Sequence, residues 1–255
     1  MDAILSITNE KVLPILADWE AVDSVLMLRF GTDRYDPSFF ISYDVYYRGS
    51  LPERESRERA FAFAAGFEST LDGQKDRVLL DDVPVRLEYK ETSLFDAMLR
   101  EIGEGDEGDP LVNTYGFYRL ERGEVLLERS AWVARTRASL REIPDAFWTR
   151  RIDAFSARMD HVLADLSTAV FSGEELFYQL SLASFLSTLC TLLFSINRRF
   201  EPAGRLLTEQ LKQLPLLPEE FATRLEYLLG HDSAITDKRK REIAELVTYS
   251  VLRLV

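Results

Sequence analysis

The sequence predicts an α+β fold, with a small mixed β-sheet and its helices in residues 1–129 and an all-α helical bundle in residues 130–255. Three observations carry that prediction. Val25 to Gly49 reads as strand, polar turn and strand. Val78 to Leu80 and Val83 to Tyr89 are two further β-rich runs, separated by Asp81-Asp82. From Ser130 onward the apolar residues recur at helical spacing almost without a break, and a strand-rich half followed by a helix-rich half is the pattern of an α+β chain.

In chain order, residues 1–20 predict a helix with Trp19 and several leucines inward, in which Pro14 either opens a short helix or kinks a longer one. Val25 to Phe30 barely alternates, so it predicts a strand buried on both faces. Gly31-Thr32 and the polar residues Asp33, Arg34, Asp36 and Pro37 supply turn chemistry. The next run, rich in Phe, Tyr, Ile and Val, predicts a second strand carrying Ser42, Asp44, Tyr46 and Tyr47. Ser50-Leu51-Pro52-Glu53 matches a capping box, and the helix it opens is expected to reach Ala65 and stop at Gly66. After the Asp81-Asp82 hairpin, Thr92-Ser93 caps a helix that ends at Gly103. Gly103 to Pro110 is an acidic surface loop whose spacing fits no EF-hand. Tyr115 to Leu120 and Glu124 to Leu127 predict a hairpin turning at Arg122-Gly123. Helices are then expected at 130–142, 144–171, 174–199, 202–213, 218–229 and 236–254, with Pro144, Pro202 and Pro218 at helix starts and Ser172 opening a second capping box.

Composition narrows the functions. The net charge of −12 argues against broad capture of a nucleic-acid backbone, so no nucleic-acid partner is expected. The single cysteine, Cys190, permits no intramolecular disulfide and suits a reducing cytoplasm. Leu176 to Ile196 is long enough to cross a membrane, but Gln179, Ser181, Ser184, Ser187, Thr188, Thr191 and Ser195 interrupt it. It is therefore expected as the buried central helix of the bundle, with no membrane partner. His161 and His231 lack the neighbours of a zinc site, and no P-loop or nucleophile elbow is present.

The remaining chemistry lies around the first two strands. A small pair such as Gly31-Thr32 lets backbone amides approach an anion, and acids two apart on a strand share a face where they can hold magnesium. On these residues the chain resembles the polymerase-β-like nucleotidyltransferase superfamily, in a bacterial branch with a C-terminal helical bundle. Gly31-Thr32 stands at the family's Gly-Ser position and Arg34 at an arginine that often follows it. Val45 to Gly49, Val83 to Tyr89 and Gly123 to Leu127 resemble its later strands, and Leu193 to Pro202 with Arg205 resembles a run of its helical part containing Asn197. The resemblance implies a nucleotide triphosphate ligand, or another small anion, in a cleft between two domains, with magnesium as cofactor if the protein is active.

The metal positions depart from the family. Aligned on Tyr46-Tyr47-Arg48, the paired carboxylates fall on Phe40 and Ser42 and the third on Arg86, which puts a cation where the metal belongs. In a shifted register Asp44 is one ligand and Glu88 a second, while Ser42 and Tyr46 leave the pair broken. Asp44 is either a metal ligand or general base, or lies on the exposed face of an edge-like strand. Glu88 is either its partner ligand or an ion-pair partner of a nearby Lys or Arg. Gly31, Thr32, Arg34, Arg86, Asn197 and Arg205 are the candidate ligand contacts, with Asn197 alternatively a helix C-terminal residue. The leading expectation is a nucleotidyltransferase fold with a degenerate metal site and little or no transfer activity. The alternatives are a working magnesium–NTP enzyme acting on a small-molecule or protein hydroxyl, and a non-catalytic module that binds a protein partner.

Overall fold

The computed structural model describes residues 2–30, 39–103, 109–230 and 235–255. The chain divides into two compact units, Met1–Gly103 with Arg119–Ile143, and Glu104–Tyr118 with Pro144–Val255. In place of one boundary near residue 130, the chain crosses between the units three times, after Gly103, Tyr118 and Ile143. The reason is local: the stretch after residue 119 supplies a strand and a helix to the sheet unit.

The sheet unit opens with α1 (Asp2–Asp18), which contains Pro14, and β1 (Val22–Phe30). Then come β2 (Phe40–Tyr47), α2 (Arg54–Ala60), β3 (Gly66–Ser69), β4 (Lys75–Leu80), β5 (Val83–Glu91) and α3 (Thr92–Gly103). α4 (Tyr115–Arg122), whose residues from Arg119 onward belong to this unit, β6 (Glu124–Glu128) and α5 (Trp132–Arg141) follow. The six strands lie in the order β3-β4-β5-β2-β1-β6, with β2 and β5 parallel and the other pairs antiparallel. β1 is buried on both faces from Val22 to Leu28, as its unbroken apolar run predicts. Asp81 and Asp82 both have positive φ, 47° and 63°, so the β4–β5 hairpin turns on two left-handed residues whose backbone twist suits the strands.

Three expected local features are replaced. α2 begins after Glu53 without a side-chain cap and ends at Ala60, and Gly66 starts β3 instead of stopping a helix. The helix is held by its buried Arg57, whose Nε donates to Asp76 at 2.8 Å and whose Nη1 donates to the Pro52 carbonyl at 2.9 Å. Tyr89 donates to the same Asp76 at 2.7 Å. Ser172 likewise caps nothing, since α6 ends at Gly173 in the left-handed conformation. Tyr115 to Leu120 is helix rather than strand. Asn113 Oδ1 accepts the Tyr115 N–H at 2.8 Å and starts the turn, and Phe117 and Leu120, three apart, are both fully buried.

The helical unit comprises α6 (Asp145–Ser172), α7 (Glu175–Ile196), α8 (Gly204–Lys212), α9 (Phe221–Leu229) and α10 (Asp237–Leu252). Each matches an expected helix within three residues. α7 packs its apolar residues against α6, and its most apolar stretch is 61% buried. One core gathers Phe155, Met159, Phe185, Leu189, Leu225 and Val247 from these helices.

The Arg57–Asp76 pair yields a first prediction. Asp76→Ala leaves a buried guanidinium without its carboxylate and should lower unfolding stability in urea by about 3–5 kcal/mol, whereas Arg77→Ala on the exposed face of the same strand should change it by less than about 1 kcal/mol.

Candidate functional site

Because β2 and β5 are parallel and in register, Ser42 lies opposite Arg86 and Asp44 opposite Glu88. Residues two apart share a face. Tyr43, Val45, Leu87 and Tyr89 fill the core on one side, and Ser42, Asp44 and Tyr46 share the other with Arg86, Glu88 and Lys90. β2 is central, so Asp44 is 0% exposed and the edge-strand alternative falls.

Arg119 of α4 reaches this polar face. Its Nε donates to both Asp44 oxygens at 3.0 and 2.7 Å, and its Nη2 donates to Asp44 Oδ1 and to Ser42 Oγ, the latter at 2.8 Å. Its Nη1 is 3.8 Å from Glu88 Oε2. Lys90 Nζ stands 2.8 Å from Asp44 Oδ2 and 3.9 Å from Glu88 Oε2, and Lys75 Nζ is 3.2 Å from Glu88 Oε1. Burial pulls the Lys90 ammonium below its ordinary pKa, and the Asp44 carboxylate pulls the other way.

α4 is itself fixed from two sides. Arg137 Nε donates to the Leu120 carbonyl at 2.8 Å and its Nη2 to that of Gly123 at 2.5 Å, closing the helix C-terminus. A Cβ on Gly123 would stand 3.0 Å from the Arg119 carbonyl oxygen and from the Leu26 side chain, so glycine lets the end of α4 approach β1. Next to the cluster, Tyr46 packs against Trp132 and Phe95 at ring-centroid distances of 5.0 and 5.4 Å, and Trp132 Nε1 donates to Asp96 at 2.9 Å.

Magnesium needs carboxylate oxygens with lone pairs to spare. Both Asp44 oxygens accept from Arg119, Lys90 adds a contact to one of them, and each Glu88 oxygen faces a cation. Arg119 and Lys90 bring two positive charges to the space between the carboxylates. The donor set does not fit a divalent metal, and among the described residues no three His, Cys, Asp or Glu side chains gather to hold one.

Arg86, the cation expected at a metal position, stands against an aromatic ring on the same face. Its guanidinium carbon lies 3.6 Å from the centroid of the Phe40 ring. Gly31, Thr32 and Arg34 lie outside the described residues. Asn197 and Arg205 belong to the helical unit. Asn197 serves as a clip: its Nδ2 donates to the Leu193 and Leu216 carbonyls at 2.8 and 2.9 Å, and its Oδ1 accepts the Leu216 N–H at 2.8 Å. Arg205 is exposed in the first turn of α8. Sequence reasoning passed over Arg119 and Lys90. The parity of Glu88 and Lys90 on one strand was a usable signal for the lysine, whereas Arg119 was hidden by the reading of its segment as a strand.

A second polar site lies wholly within the helical unit. A cavity of about 600 Å³ is lined by α6, α7, the segment from Leu111 to Tyr115 and the start of α8. Arg151 on its wall is 3% exposed. Its Nη1 donates to the Pro110 and Val112 carbonyls at 2.7 and 2.8 Å, anchoring that segment. Glu201 accepts from Thr191 Oγ1 at 2.8 Å, and burial raises its carboxyl above the ordinary value. Cys190, inside α7, is no candidate nucleophile, since burial pushes its thiol up to about 12.

Comparison with known proteins finds a matching family and similar solved structures. Residues 112–205 match a family described as Domain of unknown function (DUF4037). The chain is also similar to a solved structure described as a nucleotidyltransferase-like protein from Exiguobacterium sibiricum 255-15, at 12% identity and a TM-score of 0.49, over 96% of this chain and 73% of that one. No curated protein gives a significant match.

The buried cluster predicts a specific stability pattern in urea denaturation. Arg119→Ala should cost about 3–5 kcal/mol, because Asp44 keeps only Lys90 as a strong partner. The double variant Asp44→Leu with Arg119→Met should lose less than either Asp44→Ala or Arg119→Ala, since neither charge is then buried alone.

Proposed function

We propose that this chain is a nucleotidyltransferase-type protein in which Arg119 and Lys90 have taken the place of the divalent metal, and that it binds a nucleotide or another small anionic ligand with little or no transfer activity. The observation that supports this most is the closed contact of Arg119 and Lys90 on Asp44. An in-line transfer needs a metal to polarise the phosphoryl group and clamp the attacking and leaving oxygens. Asp44 offers no oxygen for one unless Arg119 withdraws, which would strip the buried guanidinium of its carboxylate.

Charge favours an anion as the ligand. Arg119, Lys90 and Lys75 face Asp44 and Glu88, so cations gather on this face. Lys75 is the most accessible of the three, with 37% of its side chain exposed, and a phosphate can take it as a charge-assisted partner. Gly31, Thr32 and Arg34 are proposed to complete the phosphate contact, as the family resemblance implies.

Calorimetric titration with ATP and with GTP, each with and without magnesium, tests the proposal. The expected result is binding of equal strength with and without magnesium, weakened by Lys75→Ala. Binding that requires magnesium and disappears in Asp44→Asn would overturn it in favour of a working transferase. Absence of binding in all four titrations would overturn the nucleotide part and leave a protein partner as the function of this unit.

A further inference from the structure

We infer that the helical unit carries a separate binding site for a small phosphorylated polyol or sugar, in the cavity walled by the Arg151–Arg158 face of α6 and the hydroxyl stripe of α7. The site is separate from the cation cluster on the sheet, because every described lining residue belongs to the helical unit.

The two walls have complementary chemistry. On α6, Arg151, Phe155 and Arg158 stand at i, i+4 and i+7, so they form one face. Arg158 is exposed and makes no hydrogen bond or ion pair with a described residue. The Nη2 of Arg151 likewise has no hydrogen bond to a described residue, although the rest of that guanidinium is committed to Pro110, Val112 and Ser195. On α7, Ser184, Ser187, Thr188 and Thr191 stand at i, i+3, i+4 and i+7, which is a second continuous face. Thr188 and Thr191 are buried on the most apolar helix, where an aliphatic side chain would bury more apolar area, while Ser184 and Ser187 are more open to solvent.

The third wall decides the ligand class. α8 starts at Gly204 after Ala203, which offers no side-chain cap, and Gly204 lines the cavity, so the positive end of the helix dipole lies beside it. Two arginines and a helix N-terminus suit a phosphate. Glu201 is the one carboxylate on the lining among the described residues. One of its oxygens is taken by Thr191 and the other makes no hydrogen bond to a described residue, so it is placed to accept from a ligand hydroxyl. A ligand with a phosphate at one end and several hydroxyls at the other satisfies all three walls. The volume, about 600 Å³, falls in the ordinary range for small-molecule sites.

Saturation-transfer NMR on the full chain, followed by calorimetry, tests the inference with a panel of pentose and hexose monophosphates, glycerol 3-phosphate, the parent sugars and inorganic phosphate. At least one sugar or polyol phosphate should bind, more tightly than its parent sugar or phosphate alone. Arg158→Ala and Ser187→Trp should each weaken it by about tenfold or more. Both positions are exposed, so thermal unfolding of the two variants should stay at the wild-type temperature and separate lost binding from lost folding. Absence of binding by every phosphorylated member, or binding that both variants leave unchanged, would overturn the inference.

Discussion

A carboxylate at the centre of a sheet, out of reach of water, has to be neutralised by whatever the fold can bring to it. Asp44 is in that position, and Arg119 and Lys90 meet the need. Much of the surrounding architecture is the consequence. α4 must end where its arginine can lie flat on the strand, Gly123 must be small enough to permit it, and Arg137 must close the helix behind it. A buried ion pair of this kind adds little net stability over well-packed apolar residues, because desolvation of both charges offsets their attraction. What it imposes is geometry, since neither partner can move without exposing the other to an apolar environment.

The same reasoning separates the two polar sites. On the sheet, acids and bases are mutually satisfied, and the chemistry available to a ligand is what remains accessible at the rim, chiefly Lys75. In the helical unit the groups are less completely spent. Arg151 holds a loop with one end of its guanidinium, Arg158 is unengaged among the described residues, and Glu201 is shared with Thr191. Arg158 is exposed and hydrated, so the case for a ligand rests on the convergence of Arg151, Arg158 and Glu201 on one cavity and not on a cost to the fold.

Much of the fold was legible because its signals were long. The six helices from residue 130 onward have strong apolar periodicity, and β1 has an unbroken apolar run whose two-sided burial follows directly. The short elements were obscure for physical reasons. Tyr115 to Leu120 spans fewer than two helical turns, too little to separate a period of 3.6 from one of 2, and only the Asn113 cap tips it to helix. The capping box at Ser50 matched in residue type but lost to Arg57, whose tie to Asp76 sets where α2 lies. The Asp44–Glu88 juxtaposition could be anticipated from parity on two strands, and the structure brings the two together in register. The identity of the neutralising cation could not, because Arg119 is 75 positions away from Asp44 in sequence. The hydroxyls of α7 were plain in the sequence, where they argued against a membrane span; their common face became meaningful only with Arg151 and Arg158 opposite.

The central claim is that cations stand where a metal would, and Mn²⁺ titration followed by electron paramagnetic resonance tests it most directly. The account predicts the free-ion signal at every ratio of metal to protein, unchanged between the wild type and Asp44→Asn. A stoichiometric loss of that signal in the wild type, restored by Asp44→Asn, would show that Arg119 gives way to a metal and would contradict the account.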